Sequence, residues 1–264
     1  RVQRADGTVT IDPKSDIEVI NTELALADVA TIENHLPKLQ KEAKANPKLT
    51  PRVALLRSVQ SQLLAGKVPT EFHSFSPAEL HQQLDGLDLL TAKPVIYLFN
   101  VEETDLTNQA RQAELRQLAS QATGQPLDRL TAVFVCAELE SEIRSLSPVE
   151  ASELMASYGV TESSLDQLAR VAYHTLGLQS FLTAGAKEVR AWTIHQGWTA
   201  PQAAGVIHTD FERGFIAAQV VSYHDLVELG SESAARSAGK VRTEGKTYIM
   251  QPDDVVEFRF NVSK

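Results

Sequence analysis

Apolar residues recur at intervals of three and four through the first part of the chain: Ile17, Ile20, Leu24 and Ala27, then, after a shift, Ile32, Leu36, Leu39 and Ala43. That period predicts a long amphipathic helix, with Pro37 expected to kink it. Asn46 and Pro47 break the pattern. Thr50 is then placed to cap a second helix with Pro51 in its first turn, and Val53, Leu56 and Leu63 give it an apolar stripe. Two helices joined by so short a break pack antiparallel, as a hairpin. The pattern lapses around 66–76, where Ser76-Pro77-Ala78-Glu79 reads as a capping box that starts another helix. Val95 to Phe99 is a short unbroken apolar run, the mark of a strand buried on both faces. A helical stretch over about 107–122 and a second run, Ala132 to Cys136, follow it. Strand, helix and parallel strand make a crossover unit. Ser147-Pro148-Val149-Glu150 is a further capping box, and a helix from about Ser163 is expected to end near Gly177. From Gln179 onward the period shortens to that of strands separated by glycine turns: Glu188 to Ile194, Phe215 to Ser222, Lys246 to Met250 and Val255 to Asn261, with a helix around 200–204.

Composition narrows the class. At 264 residues, 43% hydrophobic and 22% charged, the chain has room for two or three modest domains. No apolar run approaches the roughly 20 residues that span a bilayer, and Arg1 to Thr10 lacks the apolar centre of a signal peptide. The single cysteine, Cys136, excludes a disulfide framework and fits a reducing, cytoplasmic setting. The net charge of -9 hides an uneven distribution. Between Thr31 and Thr70, seven cations (Lys38, Lys41, Lys44, Lys48, Arg52, Arg57 and Lys67) face two anions, Glu33 and Glu42, a local +5 that leaves -14 on the rest. Such asymmetry can aim one end of a molecule at nucleic acid, although a basic stretch of helix is also an ordinary solvated face.

Candidate chemistry is sparse. Ligands bind doubly wound sheets outside the carboxyl ends of strands, and Asn100-Val101-Glu102-Glu103 stands at such an end. Taken alone, an asparagine after a strand is more often a turn residue. Cys136, ending an apolar strand, reads first as a small buried hydrophobe. His195, His208 and His224 lack metal-binding helix spacing, and no serine, histidine and carboxylate arrangement suggests nucleophilic catalysis.

The stretch Phe181 to Ile216, FLTAGAKEVRAWTIHQGWTAPQAAGVIHTDFERGFI, is specified well beyond a hydrophobic pattern. It resembles the carboxy-terminal TGS domain of the Obg-like ATPases, the YchF family of translation-factor-class P-loop proteins, with His195 where proline is common. The resemblance extends from DIEVINTELALAD at Asp16 to Asp28 down to FRFNV at Phe258 to Val262. No G-x-x-x-x-G-K-[ST] occurs in these residues, so the chain looks like the carboxy-terminal two-thirds of such a protein.

The resemblance implies a fold of α/β plus α+β class. A remnant of a parallel P-loop NTPase sheet would be combined with a helical coiled-coil hairpin insertion and a carboxy-terminal β-grasp (TGS) domain. Its expected divisions are 1–15, the remnant of the nucleotide-binding domain; 16–70, the hairpin; 71–177, the other half of that domain with a helical connector; and 178–264, the TGS domain. It implies an ATPase that prefers ATP to GTP and associates with the ribosome, its large subunit or ribosomal RNA, with Mg2+ required only in the intact protein. The family places an Asn-x-x-Glu base-recognition motif where Asn100, Val101 and Glu103 stand, and backbone amides near Cys136 and Ala137 would complete the pocket. An ionised Glu103 is an acceptor only, suited to the exocyclic amino group of adenine and not to the carbonyl oxygen of guanine. Val101 supplies an apolar side chain where guanine-specific relatives carry lysine. Ribosome or RNA contact would fall to Lys38, Lys41, Lys44, Lys48, Arg52 and Arg57. A sheet face carrying Arg190, Trp192, Arg213 and Phe215 is a second RNA candidate, although alternation also reads Trp192 as core. The alternative is a non-catalytic ribosome- or RNA-binding module built from hairpin and TGS domain.

Overall fold

The computed structural model describes residues 11–75, 77–84, 86–185 and 188–261. The chain divides into two compact units, Arg1–Leu168 and Ala169–Lys264. The proposed cap Ser76, most of 1–15 and the terminal Val262 lie outside the described residues.

In the first unit, α1 (Pro13–Ala45) is capped by Asp12, whose carboxylate accepts the Ser15 N–H, and α2 (Thr50–Leu64) returns against it after a 3-10 turn at Pro47–Leu49. α1 continues through Pro37 as helix. Val29, Ile32, Leu36 and Leu39 of α1 meet Leu56, Val59 and Leu63 of α2 in one buried cluster, joined by Leu80 from α3 (Pro77–Gln83) and by Leu84 and Leu89. The amino-terminal half of α1 departs from the expected stripe. Ile20 is 49% exposed and Ala27 is also exposed. This half of the helix packs on a different neighbour, with Ile17 against the cluster of the strand-bearing layer.

That layer is a two-stranded parallel sheet of β1 (Ile96–Asn100) and β2 (Thr131–Val135), linked by α4 (Gln109–Thr123). Phe99, Phe134, Leu115 and Ala119 form its core, with the two phenyl rings stacked at 5.5 Å. The expectation that β1 is buried on both faces is corrected: Leu98 is 51% exposed, because Phe99 faces the α4 side and Leu98 points to the opposite, open face. Asp28, buried in α1, ties hairpin to layer by accepting from Leu90 N–H (2.8 Å), Thr91 N–H (2.7 Å) and Thr91 Oγ1 (2.6 Å). Beyond β2 come α5 (Ala137–Ile143), α6 (Pro148–Ser157) and α7 (Ser164–Thr175), and α6 opens with the expected capping box of Ser147 and Glu150.

The second unit is a five-stranded mixed sheet. Its strands are β3 (Leu178–Ala184), β4 (Val189–His195), β5 (Phe215–Ser222), β6 (Arg242–Glu244) and β7 (Asp254–Phe260), in spatial order β4-β3-β7-β5-β6. Only β3 and β7, near the centre, are parallel; they meet at Leu182 and Val255. On one face α8 (Ala200–Ile207) packs Ala200, Ala203 and Ala204 against Phe181, Ile194, Phe215, Val220 and Val256, and α9 (Thr209–Arg213) follows it. On the other, α10 (Tyr223–Leu229) and α11 (Glu232–Ser237) close a smaller cluster around Val221, Ala235 and Val255.

The segment expected as a strand over Lys246 to Met250 is not one. It is an extended turn that makes a single bridge, Thr199 with Ile249. The Tyr248 hydroxyl bonds both carboxylate oxygens of Asp254, and Met250 N–H donates to the Trp198 carbonyl (3.0 Å). Burial is the larger influence that raises the Asp254 carboxyl above its ordinary range, and it also pushes the Tyr248 phenol, whose proton is held by that carboxylate, up to about 12. Among the described residues no helix is long and apolar enough to cross a membrane.

Candidate functional site

The carboxyl ends of the parallel strands lie side by side, Asn100 opposite Val135. The ladder runs one step further, because Val101 N–H donates to the Val135 carbonyl (2.8 Å). The chain after β1 then turns into a short 3-10 segment, Glu103–Asp105, while the chain after β2 enters α5 at Ala137. One side chain bridges the two exits: Asn100 Oδ1 accepts the Ala137 N–H at 3.1 Å. That bond settles the orientation of the carboxamide, since its oxygen is engaged and its NH2 remains to donate.

Glu103 is half-buried, and among the described residues its carboxylate accepts no hydrogen bond, so its acceptor capacity is uncommitted. Val101 packs partly into the Phe99 and Phe134 cluster. Cys136 is 3% exposed and its carbonyl accepts the Glu140 N–H, the first closure of α5. Ala137 is exposed, with its N–H already given to Asn100. The structure therefore brings Asn100, Val101, Cys136 and Ala137 together at one end of the sheet, with Glu103 following on the next turn.

Two supports of this loop escaped the sequence reading. Gln112 Nε2 donates to the carbonyls of Asp105 (3.3 Å) and Leu106 (2.8 Å), and Arg111, in the same turn of α4, lies 4.0 Å from Asp105. The signal was the cap Asn108, whose Oδ1 accepts the Arg111 N–H. A cap there fixes the first turn of α4, and hence Arg111 and Gln112, beneath the preceding loop.

The six hairpin cations cluster on its outer half. Lys38, Lys41, Lys44, Lys48 and Arg57 are exposed, Arg52 is half-buried, and Lys38 lies 4.0 Å from Glu42. The second RNA candidate does not assemble as a platform. Phe215 is 4% exposed in the core, because β5 turns that face toward α8. Arg213 ends α9 and is not on a strand. What remains is Arg190, its Cζ 4.2 Å from the centre of the Trp192 ring, with the indole N–H donated to Thr183 Oγ1 at 2.9 Å. Among the described residues no group of three or more His, Cys, Asp or Glu side chains could hold a metal.

Comparison with known proteins matches residues 178–261 to a family model described as "YchF-GTPase_C: Protein of unknown function (DUF933)". The "Ribosome-binding ATPase YchF" of Haemophilus ducreyi is 43% identical over 254 residues, covering 96% of this chain and 68% of that protein. Its namesake in Bacillus subtilis is 40% identical over 259 residues with the same coverage, and the "Obg-like ATPase 1" of Oryza sativa is 38% identical over 258. Among solved structures, the Schizosaccharomyces pombe YchF GTPase superposes with a TM-score of 0.79 at 31% identity, covering 98% of this chain and 68% of that one. A GTP binding protein from Pyrococcus horikoshii shares the fold at a TM-score of 0.58 and 18% identity. With similarity running through both units, the chain belongs to the YchF and Obg-like ATPase family.

Proposed function

We propose that this chain carries the base-recognition and ribosome-facing parts of an ATPase that prefers adenine nucleotides. The observation that bears most weight is the 3.1 Å bond from Ala137 N–H to Asn100 Oδ1. It joins the two strand exits where a purine would lie and leaves the Asn100 NH2 to donate, with the uncommitted Glu103 carboxylate nearby to accept from the adenine amino group. Val101, Cys136 and Ala137 would form the apolar and backbone walls of that pocket. ATP is the expected nucleotide. Its phosphates and Mg2+ call for a phosphate cradle that no G-x-x-x-x-G-K-[ST] in these 264 residues supplies. Taken by themselves, these residues are expected neither to hydrolyse ATP nor to hold it tightly.

The finer divisions of the fold belong to the same reading. The order β4-β3-β7-β5-β6, with its first and last strands parallel at the centre, supports a β-grasp TGS domain over 178–264. The paired α1 and α2 support a coiled-coil hairpin over 16–70, and β1, α4 and β2 support the end of a nucleotide-binding sheet within 71–177. The relatives' name, ribosome-binding ATPase, supports a ribosomal partner, through the large subunit or its RNA, and so a cytoplasmic place of work.

The test is equilibrium binding of labelled ATP against GTP by pure protein, with intact mass determined on the same sample. The adenine reading expects ATP to be preferred, and Glu103→Ala to erase the preference by about tenfold or more. A preference for GTP, or an unchanged preference in Glu103→Ala, would overturn it. The second reading, a non-catalytic RNA- or ribosome-binding module, is favoured by the cations gathered at the hairpin end. A 28.9 kDa protein that binds no nucleotide yet binds ribosomes would select it.

A further inference from the structure

The two arginines of α4 are treated differently. Arg111 pairs with Glu114 at 2.7 Å. Elsewhere Arg190, Arg236 and Arg242 each have a carboxylate within 4.0 Å. Arg116 has none among the described residues, although it is half-buried. Its guanidinium lies over the Phe134 ring, with Cζ 4.7 Å from the centroid. A cation partly withdrawn from water costs hydration, and an aromatic face returns only part of it. A guanidinium stacked on a ring keeps its planar N–H fork free at the edge, the geometry that grips a carboxylate or phosphate with two bonds.

Arg116 and Phe134 line a cleft of about 250 Å³. Its other lining residues are polar (Thr107, Gln112, Thr161, Ser164 and Gln167), acidic (Glu162) and, at Leu106, Gly159 and Val160, apolar. The backbone N–H of Ser164 is already given to the buried Glu140 at 2.5 Å, which leaves the Ser164 hydroxyl as its remaining donor. None of these residues belongs to the Asn100, Val101, Glu103, Cys136 and Ala137 group, although the cleft adjoins it, since Leu106 and Gln112 at the loop after Glu103 line the cleft as well.

We propose that this cleft binds a small oxyanion, a carboxylate or a phosphate monoester, on the free fork of Arg116 with the neighbouring hydroxyls as further donors. Glu162 opposes the anion from the same cleft and Glu140 from behind Ser164, which keeps the affinity modest. Removing the charge of Glu162 should therefore tighten binding.

The experiment is an NMR titration of the isotope-labelled chain with inorganic phosphate, with glycerol 2-phosphate and with acetate, at an ionic strength held constant with sodium chloride. The signals read are the Arg116 Nε–H and the amides of Thr107, Thr161 and Ser164. Saturable shifts are expected, weakened about tenfold or more in Arg116→Gln, several-fold tighter in Glu162→Gln and unchanged in Arg111→Gln. Phosphate outcompeting acetate identifies a phosphate ligand, and the reverse a carboxylate. Should Arg116→Gln not fold, Arg116→Lys replaces it; this variant keeps the charge but loses the fork, and weaker binding is again expected. Shifts that fail to saturate, that chloride reproduces, or that persist at full strength in a folded Arg116 variant would overturn the proposal.

Discussion

At the scale of single residues, the buried carboxylates are the sensitive points. Asp28 is 2% exposed, and the donors that satisfy it come from a loop far along the chain. Asp28→Ala would strand two backbone N–H groups and the Thr91 hydroxyl. A loss of about 3 kcal/mol is expected in urea unfolding of the first unit; a loss within experimental error would mean that water replaces the carboxylate. Asp254 behaves in the opposite sense. Its carboxyl is raised by burial, so the native state holds the proton more firmly than the unfolded chain does. Its stabilising contribution is complete below the ordinary value of 3.8 and is lost as pH rises through the raised one. Tm measured against pH should show this decline in the wild type and a flatter profile in Asp254→Asn; identical profiles would assign the dependence to other groups. Gly214 illustrates a third constraint. A Cβ there would run into the Asn261 carbonyl oxygen, and the Asn261 N–H is bonded to the Gly214 carbonyl (2.9 Å). Gly214→Ala is expected to cost about 1–3 kcal/mol in thermal unfolding.

At the scale of elements, caps were legible only in part: Thr50, expected to cap α2, is instead its first residue, with Leu49 at the cap position and no side-chain cap bond. Ser147 and Glu150 form the box their spacing announces, and the Glu150 carboxyl is held below its usual range by the Ser147 hydroxyl and backbone N–H. This contribution is present above the ordinary carboxylate value and fades as pH falls through the lowered one. Ser147→Ala should cost about 1 kcal/mol; circular dichroism melts at neutral and acid pH would follow both effects, and a variant as stable as the wild type at neutral pH would count against the cap. The hairpin, β1, β2, α4 and β5 were legible as elements because each carries a sustained apolar pattern, even where, as at Ile20 and Leu98, burial departs from it. Lys246 to Met250 misled because Tyr248 and Met250 alternate as strand residues do, although their bonds are to Asp254 and Trp198 and not to a ladder. The polar edge strand Arg242–Glu244 has no apolar side to declare it, and β3 hid behind Gln179 and Ser180. The short α10 and α11 are announced only by Ser222 and Ser231, each accepting an N–H three residues on. At the candidate site, Asn100 and Glu103 were readable as a motif, whereas the bond that orients Asn100 depends on the register of β1 with β2, which no local pattern encodes.

At the scale of the whole molecule, charge and topology divide the labour. The outer hairpin gathers exposed lysines while the rest of the sequence carries the negative excess, a distribution that favours that end in an approach to a polyanion. Ribosome or RNA affinity is expected to fall steeply with salt, and the slope to shrink by about 3 when Lys38, Lys41 and Lys44 become alanine together. An unchanged slope would return those lysines to the role of a solvated face.

The meeting of Leu182 with Val255 bears on how the second unit is made. Translation delivers β3 and β4 early, and alone they are a two-stranded hairpin of the kind that is marginal in water. The inner neighbour of β3 is β7, the last of the described strands, which joins that hairpin to the pair of β5 and β6. Vectorial synthesis therefore leaves the centre of this sheet until late. Joining β3 to β7 closes a long loop, and its entropy is expected to make that step slow compared with the local pairing of α1 and α2.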